Sequence, residues 1–168
     1  MRINKKKFLY LISPNKINIY FFRDLKRVLD TNKIAFFQLR LKKETQNNKL
    51  KIAKKIQKIC KDFKVKFIIN DDANLAKQVN ADGCHLGQND MSIIDARRIL
   101  KKKIIGVTCH NSINLAKIAK KKNADYIAFG AFNTTKTKKV KYKADIKIIK
   151  KFKKTSRIPV VAIGLCLS

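Results

Sequence analysis

The sequence predicts an α/β fold in which short parallel strands alternate with helices. Short apolar runs recur at intervals of roughly 20 to 30 residues, which is the spacing of strand-helix-strand units. The segments between these runs place apolar side chains on one helical face, as packing against a sheet requires. With 168 residues, of which 45% are hydrophobic, the chain can bury a core and is expected to form one domain.

Seven apolar runs are predicted to be strands, at residues 8–12, 35–39, 66–69, 83–86, 104–108, 126–129 and 159–163. The predicted helices between them cover residues 22–29, 50–60 and 113–119, with shorter ones at 74–76 and 95–100. A closed eight-stranded barrel normally needs about 200 residues or more. The pattern therefore indicates either an open sheet of six or seven strands or a barrel shortened after its seventh strand.

The formal charge of +30 raises the question of a nucleic-acid partner, because basic surfaces bind phosphate polymers. The lysines, however, are spread over nearly every predicted helix, and arginine, the better reader of base edges, is scarce. This distribution favours solvated helix faces. We expect weak binding to polyanions at low salt and no specific nucleic-acid partner.

No apolar run approaches the roughly 20 residues that cross a bilayer, and the first residues lack the apolar segment of a signal peptide. We therefore expect a cytoplasmic protein with no membrane partner. The cysteines have no metal-binding or redox spacing, and we predict that they are reduced core thiols. They are Cys60, Cys84, Cys109 and Cys166.

Polar side chains mark the end of the second predicted strand. Gln38, Arg40 and Lys42 alternate with Leu39 and Leu41, so the three polar side chains are expected to project to one side. Arginine supplies a planar pair of donors and lysine a mobile charge, and both suit a pyrophosphate group. A solvated strand end is the alternative that this pattern alone leaves open.

Acidic residues follow the next two predicted strands. Asn70 and Asp71 end the third strand, and Asp90 lies just after the fourth. Magnesium binds one or two carboxylates and completes its shell with water and phosphate oxygens. Each aspartate taken separately could be a helix cap or a turn residue. Beside the cationic strand end, the two together predict a metal site.

The fifth and sixth strands are followed by further polar groups. Thr108 offers a hydroxyl, and His110 is interpreted as an orienting residue, with a general base as the alternative. His85, inside the fourth strand, is predicted to be a packed residue and not a ligand. The hydroxyls, backbone amides and lysines at residues 133–139 form either a second phosphate site or an ordinary polar loop.

These segments, in this order, resemble the thiamine phosphate synthases and the related thiazole tautomerases, and the resemblance covers nearly the whole chain. The motifs that carry it are Gln38-x-Arg40-x-Lys42, Asn70-Asp71, residues 81–90, Gly106-Val107-Thr108-x-His110, residues 124–126, Thr135-x-Thr137-Lys138 and residues 159–164. The resemblance implies an α/β fold of the TIM (β/α)8-type barrel, truncated after the seventh strand. Residues 1–168 would form a single domain that lacks the C-terminal strand and helices.

The resemblance also implies a transferase that uses Mg2+ to join a hydroxymethylpyrimidine pyrophosphate to a thiazole phosphate, giving thiamine phosphate and pyrophosphate. Asp71 and Asp90 match the metal ligands. The positions that match substrate-binding residues are Gln38, Leu39, Arg40, Leu41, Lys42, Asn70, Thr108, Thr135, Lys136, Thr137 and Lys138. No protein nucleophile is implied. The partners would be the two small molecules, with homo-oligomerisation as a way to complete the shortened barrel.

Two alternatives stay open beside this activity. Gly164 is followed by Leu165 where the family has a second glycine, which is a departure in the thiazole phosphate segment. The first alternative is therefore a noncatalytic remnant that binds the pyrimidine pyrophosphate. The second is a thiazole tautomerase, which would have no need for the paired carboxylates and the cationic strand end that this chain retains.

Overall fold

In the computed structural model, which describes residues 8–133 and 143–164, seven strands alternate with six helices. The strands are β1 Leu9–Ile12, β2 Ile34–Leu39, β3 Lys66–Asn70, β4 Gly83–Leu86, β5 Ile104–Thr108, β6 Tyr126–Phe129 and β7 Val160–Ala162. The helices are α1 Phe21–Leu29, α2 Gln46–Asp62, α3 Ala73–Gln78, α4 Ile93–Leu100, α5 Ile113–Lys121 and α6 Lys147–Thr155.

The hydrogen-bonded strand order follows the chain order from β1 to β7. The pairs β1–β2, β2–β3, β5–β6 and β6–β7 are parallel. Each predicted strand agrees with the observed one to within one residue at either end, because the apolar runs stop where turn residues begin. No helix among the described residues is long and apolar enough to cross a membrane.

The described chain forms two compact units. The first contains β1, β2, β3, α1, α2 and most of α3, and the second contains α4, α5, α6, β5, β6, β7 and most of β4. Residues 71–73 belong to the second unit. The expectation of a single domain stays a prediction.

The core of the first unit is built around two phenylalanines on neighbouring strands. Phe37 of β2 and Phe67 of β3 are fully buried, and their rings stack with centroids 6.4 Å apart. The apolar face of α2 is buried through Ala53, Ile56, Ile59 and Cys60. Because burying a large apolar side chain contributes about 1.5–3 kcal/mol, these contacts fix the strands whose ends carry the polar residues.

The second unit has a comparable apolar centre. Phe129 of β6 and Phe152 of α6 are buried and meet edge to face, with ring centroids 5.5 Å apart. Serine side chains cap two of its helices: Ser92 accepts from the backbone N–H of Asp95, and Ser112 accepts from that of Leu115.

Five helices are followed, within three residues, by a residue with positive φ, and none of these residues is glycine. They are Asn32, Lys64, Asn80, Lys101 and Asn123, which follow α1 to α5 in order. After α2, α3 and α5 the next backbone N–H returns to the carbonyl five residues earlier, which satisfies the last turn of the helix. Lys101, with φ 54° and ψ −111°, departs in ψ from the ordinary left-handed conformation.

Two aspartates, which we call the strand-start aspartates, lie just before β4 and β6. Asp82 accepts the backbone N–H of Phe67 (2.9 Å) and pairs with the Lys66 ammonium (2.8 Å). Asp125 accepts the N–H of Ile105 (2.7 Å) and pairs with Arg97 (2.6 Å). Each carboxylate thus fixes the first residues of a preceding strand in its own unit.

The Arg97 guanidinium binds more than its aspartate. It also donates to the backbone carbonyls of Lys101 (2.8 Å), Lys103 (2.6 Å) and Asn123 (2.9 Å). The strained turn at Lys101 is therefore held by the same side chain that pairs with Asp125. Among the described residues, the Lys66 ammonium has one hydrogen-bond acceptor, the Asp82 carboxylate.

Candidate active site

The predicted alternation from Gln38 to Lys42 is only partly part of a strand in the first unit. Strand β2 ends at Leu39, so the alternation predicted through Lys42 does not continue along the strand. The neighbouring strand β1 stops before Pro14, which cannot donate a backbone N–H. Beyond that point the Arg40 N–H donates to the Ser13 side-chain oxygen (2.9 Å) in place of a backbone carbonyl.

Gln38 and Arg40 are each held by a partner in or just after β1. Gln38 is buried, and its side-chain N–H donates to the Tyr10 phenol oxygen (3.1 Å). The half-buried Arg40 donates from its guanidinium to the Asn15 side-chain oxygen (2.7 Å). Tyr10, Ser13 and Asn15 were not predicted as site residues. The pattern Ser13-Pro14-Asn15 indicates a turn, but nothing in it indicates which strand end the turn supports.

The other predicted residues of this strand end have contrasting environments. Leu39 and Leu41 are buried. Lys42 is exposed. Asn70, the last residue of β3, is half-buried.

Asp71, the first of the predicted metal ligands, begins a turn with an unusual backbone conformation. Its φ is +64°, in the left-handed region that non-glycine residues seldom occupy. Its backbone N–H donates to the carbonyl of His85 (2.8 Å), so the end of β4 holds this turn in place. Aspartate is among the residues that tolerate this conformation best, and strain of this kind is concentrated at functional sites.

Three aspartates of the second unit act electrostatically on one buried thiol. Burial raises the pKa of Cys84, and the negative charges of Asp71, Asp72 and Asp90 raise it further. Asp90 also accepts the backbone N–H of Gly87 (2.7 Å), which fixes the turn after β4. Asp72 was not predicted as a site residue, although it adjoins Asp71 in the sequence.

The acidic cluster, formed by Asp71, Asp72 and Asp90, offers the type of donor that a hard divalent cation prefers. Its donors are carboxylate oxygens, and like charges collected in this way favour a cation. Among the described residues, no group of three or more His, Cys, Asp or Glu side chains is arranged to hold a metal ion by itself. Magnesium needs no closed protein cage, because water and substrate phosphate oxygens complete its shell.

His85 lies in the buried interior of the second unit, which confirms the prediction that it is a packed residue. Its Nδ1 is 2.8 Å from the Tyr126 hydroxyl, and its Nε2 is 2.7 Å from the Thr108 hydroxyl. Burial lowers the pKa of His85 to about 4, and the charge of Asp90 offsets this only in part. The imidazole is therefore neutral at pH 7.

Two neighbouring contacts keep this arrangement rigid. The Tyr126 ring stacks on the His85 ring, with centroids 5.6 Å apart, and a Cβ at Gly106 would lie 1.8 Å from the Tyr126 ring. Glycine is thus required at position 106. The exposed Gln88 donates from its side chain to the Thr108 backbone carbonyl, which fixes the residue that carries the hydroxyl.

His110 follows β5 with φ +50°, and its carbonyl accepts the backbone N–H of Gly130 (3.1 Å). Its role as an orienting residue stays a prediction. Of the predicted core thiols, Cys60, Cys84 and Cys109 are free and buried, as expected. Burial raises the pKa of both Cys60 and Cys109 to about 12.

The second predicted phosphate segment, apart from Asn133, lies outside the described residues. This applies to Thr135, Lys136, Thr137 and Lys138, and also to Leu165 and Cys166. Their roles stay predictions.

Comparison with known proteins places the chain in one family. A family model described as thiamine monophosphate synthase matches residues 9–165. The thiamine-phosphate synthase of Pelagibacter ubique is 66% identical over 167 residues, which cover 98% of this chain and 81% of that protein. The thiamine-phosphate synthase of Nitrosomonas eutropha is 40% identical, over 93% of this chain and 74% of that protein.

A solved structure agrees with these sequence matches. Thiamine phosphate pyrophosphorylase from Pyrococcus furiosus superposes with a TM-score of 0.83 at 28% identity, covering 95% of this chain and 75% of that one. The predicted fold class, α/β of the TIM-barrel type, is confirmed by this match. From the family model, the curated relatives and the structural match, the chain belongs to the thiamine monophosphate synthase family of enzymes.

Proposed function

We propose that this chain condenses 4-amino-2-methyl-5-hydroxymethylpyrimidine pyrophosphate with thiazole phosphate to give thiamine phosphate and pyrophosphate. The observation that carries the proposal is the 66% identity to a thiamine-phosphate synthase over 98% of the chain. The acidic cluster and the cationic strand end provide chemical support, because a pyrophosphate substrate needs both a divalent cation and side-chain donors.

The reaction exchanges a C–O bond for a C–N bond. The bond between the pyrimidine methylene carbon and pyrophosphate breaks, and its electron pair leaves on the pyrophosphate oxygen. The thiazole nitrogen then donates its lone pair to the pyrimidine cation. No proton has to be transferred and no protein nucleophile is required, so the chain's task is to orient two substrates and stabilise the departing charge.

In this proposal the residues of the first unit bind the pyrophosphate. Arg40 and Lys42 would neutralise its charge, and the bonds that Arg40 donates to Ser13 and Asn15 would hold it in position before the substrate arrives. Gln38, Asn70 and the backbone at Leu39 and Leu41 would complete the contacts on this side.

In the second unit, Asp71 and Asp90 would hold Mg2+, and Thr108 would contact the pyrimidine pyrophosphate. When bound, Mg2+ would supply positive charge to the leaving pyrophosphate. The segment Thr135, Lys136 and Thr137 would bind the thiazole phosphate, and Lys138 the pyrimidine pyrophosphate. These roles follow the family motifs residue by residue. A cytoplasmic location and assembly into homo-oligomers likewise stay predictions.

The proposal is tested by incubating purified chain 1–168 with both substrates and Mg2+ and measuring thiamine phosphate and pyrophosphate by chromatography. We expect the two products in equal amounts and none when either substrate is omitted. Chelation with EDTA should abolish turnover, and added Mg2+ should restore it.

Three results would contradict parts of this proposal. Pyrophosphate without thiamine phosphate would indicate hydrolysis. Binding of the pyrimidine pyrophosphate without turnover would favour the noncatalytic remnant. Full activity after chelation would reject the magnesium assignment while leaving the condensation itself intact.

A further inference from the structure

The Tyr126 hydroxyl, the His85 imidazole and the Thr108 hydroxyl form a continuous hydrogen-bonded row, which we call the hydroxyl relay. His85 lies in the middle, 2.8 Å from Tyr126 and 2.7 Å from Thr108. The imidazole is 7% exposed and Tyr126 is 4% exposed, whereas Thr108 is half-buried. Two members of the relay are therefore shielded from water, and the third is partly accessible.

A neutral imidazole donates from one ring nitrogen and accepts at the other. The relay can therefore run in only two directions. In one, Tyr126 donates to Nδ1 and Nε2–H donates to Thr108. In the other, Nδ1–H donates to Tyr126 and the Thr108 hydroxyl donates to Nε2.

The chemistry of the two hydroxyls favours the first direction. A phenol, with an ordinary pKa of about 10, is far more acidic than the alcohol of threonine and is the stronger hydrogen-bond donor. Tyr126 should thus donate to Nδ1, which leaves the proton of the imidazole on Nε2. The Thr108 oxygen then accepts from His85, and its own hydrogen points away from the ring.

We propose that Tyr126 and His85 are positioning residues that make the Thr108 hydroxyl a hydrogen-bond donor toward the departing pyrophosphate. This rests on the proposed function, in which Thr108 contacts the pyrimidine pyrophosphate. An anionic oxygen accepts hydrogen bonds and donates none. If the Thr108 hydroxyl donated its hydrogen to Nε2, it could not also donate to the pyrophosphate oxygen. The relay removes that competing orientation before the substrate binds.

The first test is the tautomer of His85 in the wild-type protein without ligand. The chain has two histidines, so long-range 1H–15N NMR resolves both rings, and a His110→Gln variant assigns them. We expect the Nε2–H tautomer for His85. The Nδ1–H tautomer would overturn the proposal, and so would an imidazolium at pH 7.

The second test is a double-mutant cycle on kcat. Tyr126→Phe keeps the ring that packs against Gly106 but removes the donor, and kcat should fall about tenfold with little change in KM. Thr108→Val should lower kcat about 100-fold. In the Thr108→Val background, Tyr126→Phe should have almost no further effect, whereas in Thr108→Ser, which keeps the hydroxyl, its effect should persist.

Tyr20→Phe is the matched control, because Tyr20 is an exposed tyrosine of the first unit. It should leave kcat unchanged. A tenfold loss from Tyr126→Phe that persists in Thr108→Val would show that Tyr126 acts through packing, and would overturn the relay. If the wild-type chain makes no thiamine phosphate, the proposed function fails, and the NMR result still decides the direction of the relay.

Discussion

The aspartates at the starts of strands and those at the ends of strands lie in different electrostatic surroundings, although Asp90 also accepts a backbone N–H. Asp82 and Asp125, the strand-start aspartates, each accept a backbone N–H and pair with a cation. Asp71 and Asp90, at strand ends, belong to the acidic cluster, where three negative charges act on the same buried thiol. At the strand starts each negative charge pairs with one cation, whereas at the strand ends three negative charges act on one site.

This difference separates stability from function within a single residue type. A carboxylate that binds the protein's own donors contributes to folding, whereas carboxylates that act together on one site raise its negative potential and favour a cationic ligand. In strand-helix folds the carboxyl ends of parallel strands carry the ligand site, which agrees with this division. Three sets of substitutions test this difference between the two groups of aspartates and the stability of the turns beside them.

Asp71→Asn should have the largest effect, and it should be on activity. Asparagine also tolerates the left-handed conformation, so the backbone turn should persist while a carboxylate ligand is lost. We expect a loss of about 100-fold in kcat/KM, with more Mg2+ needed for half-maximal rate. The midpoint of thermal unfolding should fall less than in Asp125→Ala, because asparagine keeps the size of the side chain and the left-handed backbone.

Asp62→Asn is the control for this prediction, since Asp62 is an exposed carboxylate at the end of α2. Its activity and Mg2+ dependence should match those of the wild type. Unchanged Mg2+ dependence in Asp71→Asn would show that this aspartate is not a ligand.

Asp125→Ala should have the next largest effect, and it should be on stability. It leaves the backbone N–H of the fully buried Ile105 without its acceptor and removes a partner of Arg97. We expect the free energy of unfolding in urea to fall by about 2–3 kcal/mol, with kcat of the folded enzyme nearly unchanged.

Asp82→Ala is the matched variant in the first unit and should cost less, about 1–2 kcal/mol. The reason is that Asp82 pairs with an exposed lysine, Lys66. Asp125 pairs with Arg97, whose guanidinium also donates to three backbone carbonyls. A larger cost for Asp82→Ala than for Asp125→Ala would reject this ranking.

Lys101→Gly should have the smallest effect, and it should be on the free energy of unfolding. Lys101 has a backbone conformation that glycine adopts readily and other residues seldom do. We expect the free energy of unfolding to rise by roughly 0.5–1 kcal/mol, measured by urea denaturation. Asn123→Gly should gain less, because asparagine tolerates positive φ; an equal gain would contradict the strain assigned to Lys101.

Much of the fold could be predicted from the sequence, because apolar runs and turn residues are local signals. The strand bounds and the buried positions of His85 and Cys84 followed from such signals. The partners of the site residues did not. Gln38 meets Tyr10 28 residues away, a contact that depends on the register of two parallel strands.

The Arg40 N–H bond to the Ser13 side chain has the same origin, since it depends on where the neighbouring strand stops. The positive φ of Lys101 has no sequence signal either, because lysine does not favour that conformation. The hydroxyl relay has no local signal, because its three side chains come from three separate strands.

The buried cysteines give each unit its own chemical reporter. Cys60 lies in the first unit, and Cys84 and Cys109 lie in the second. Because the thiolate is the reactive form and burial raises the pKa of all three, a thiol reagent can modify them only when the surrounding structure opens. The labelling rates of Cys60 and Cys84 would therefore report the opening rates of the two units separately, in one sample and without an introduced probe.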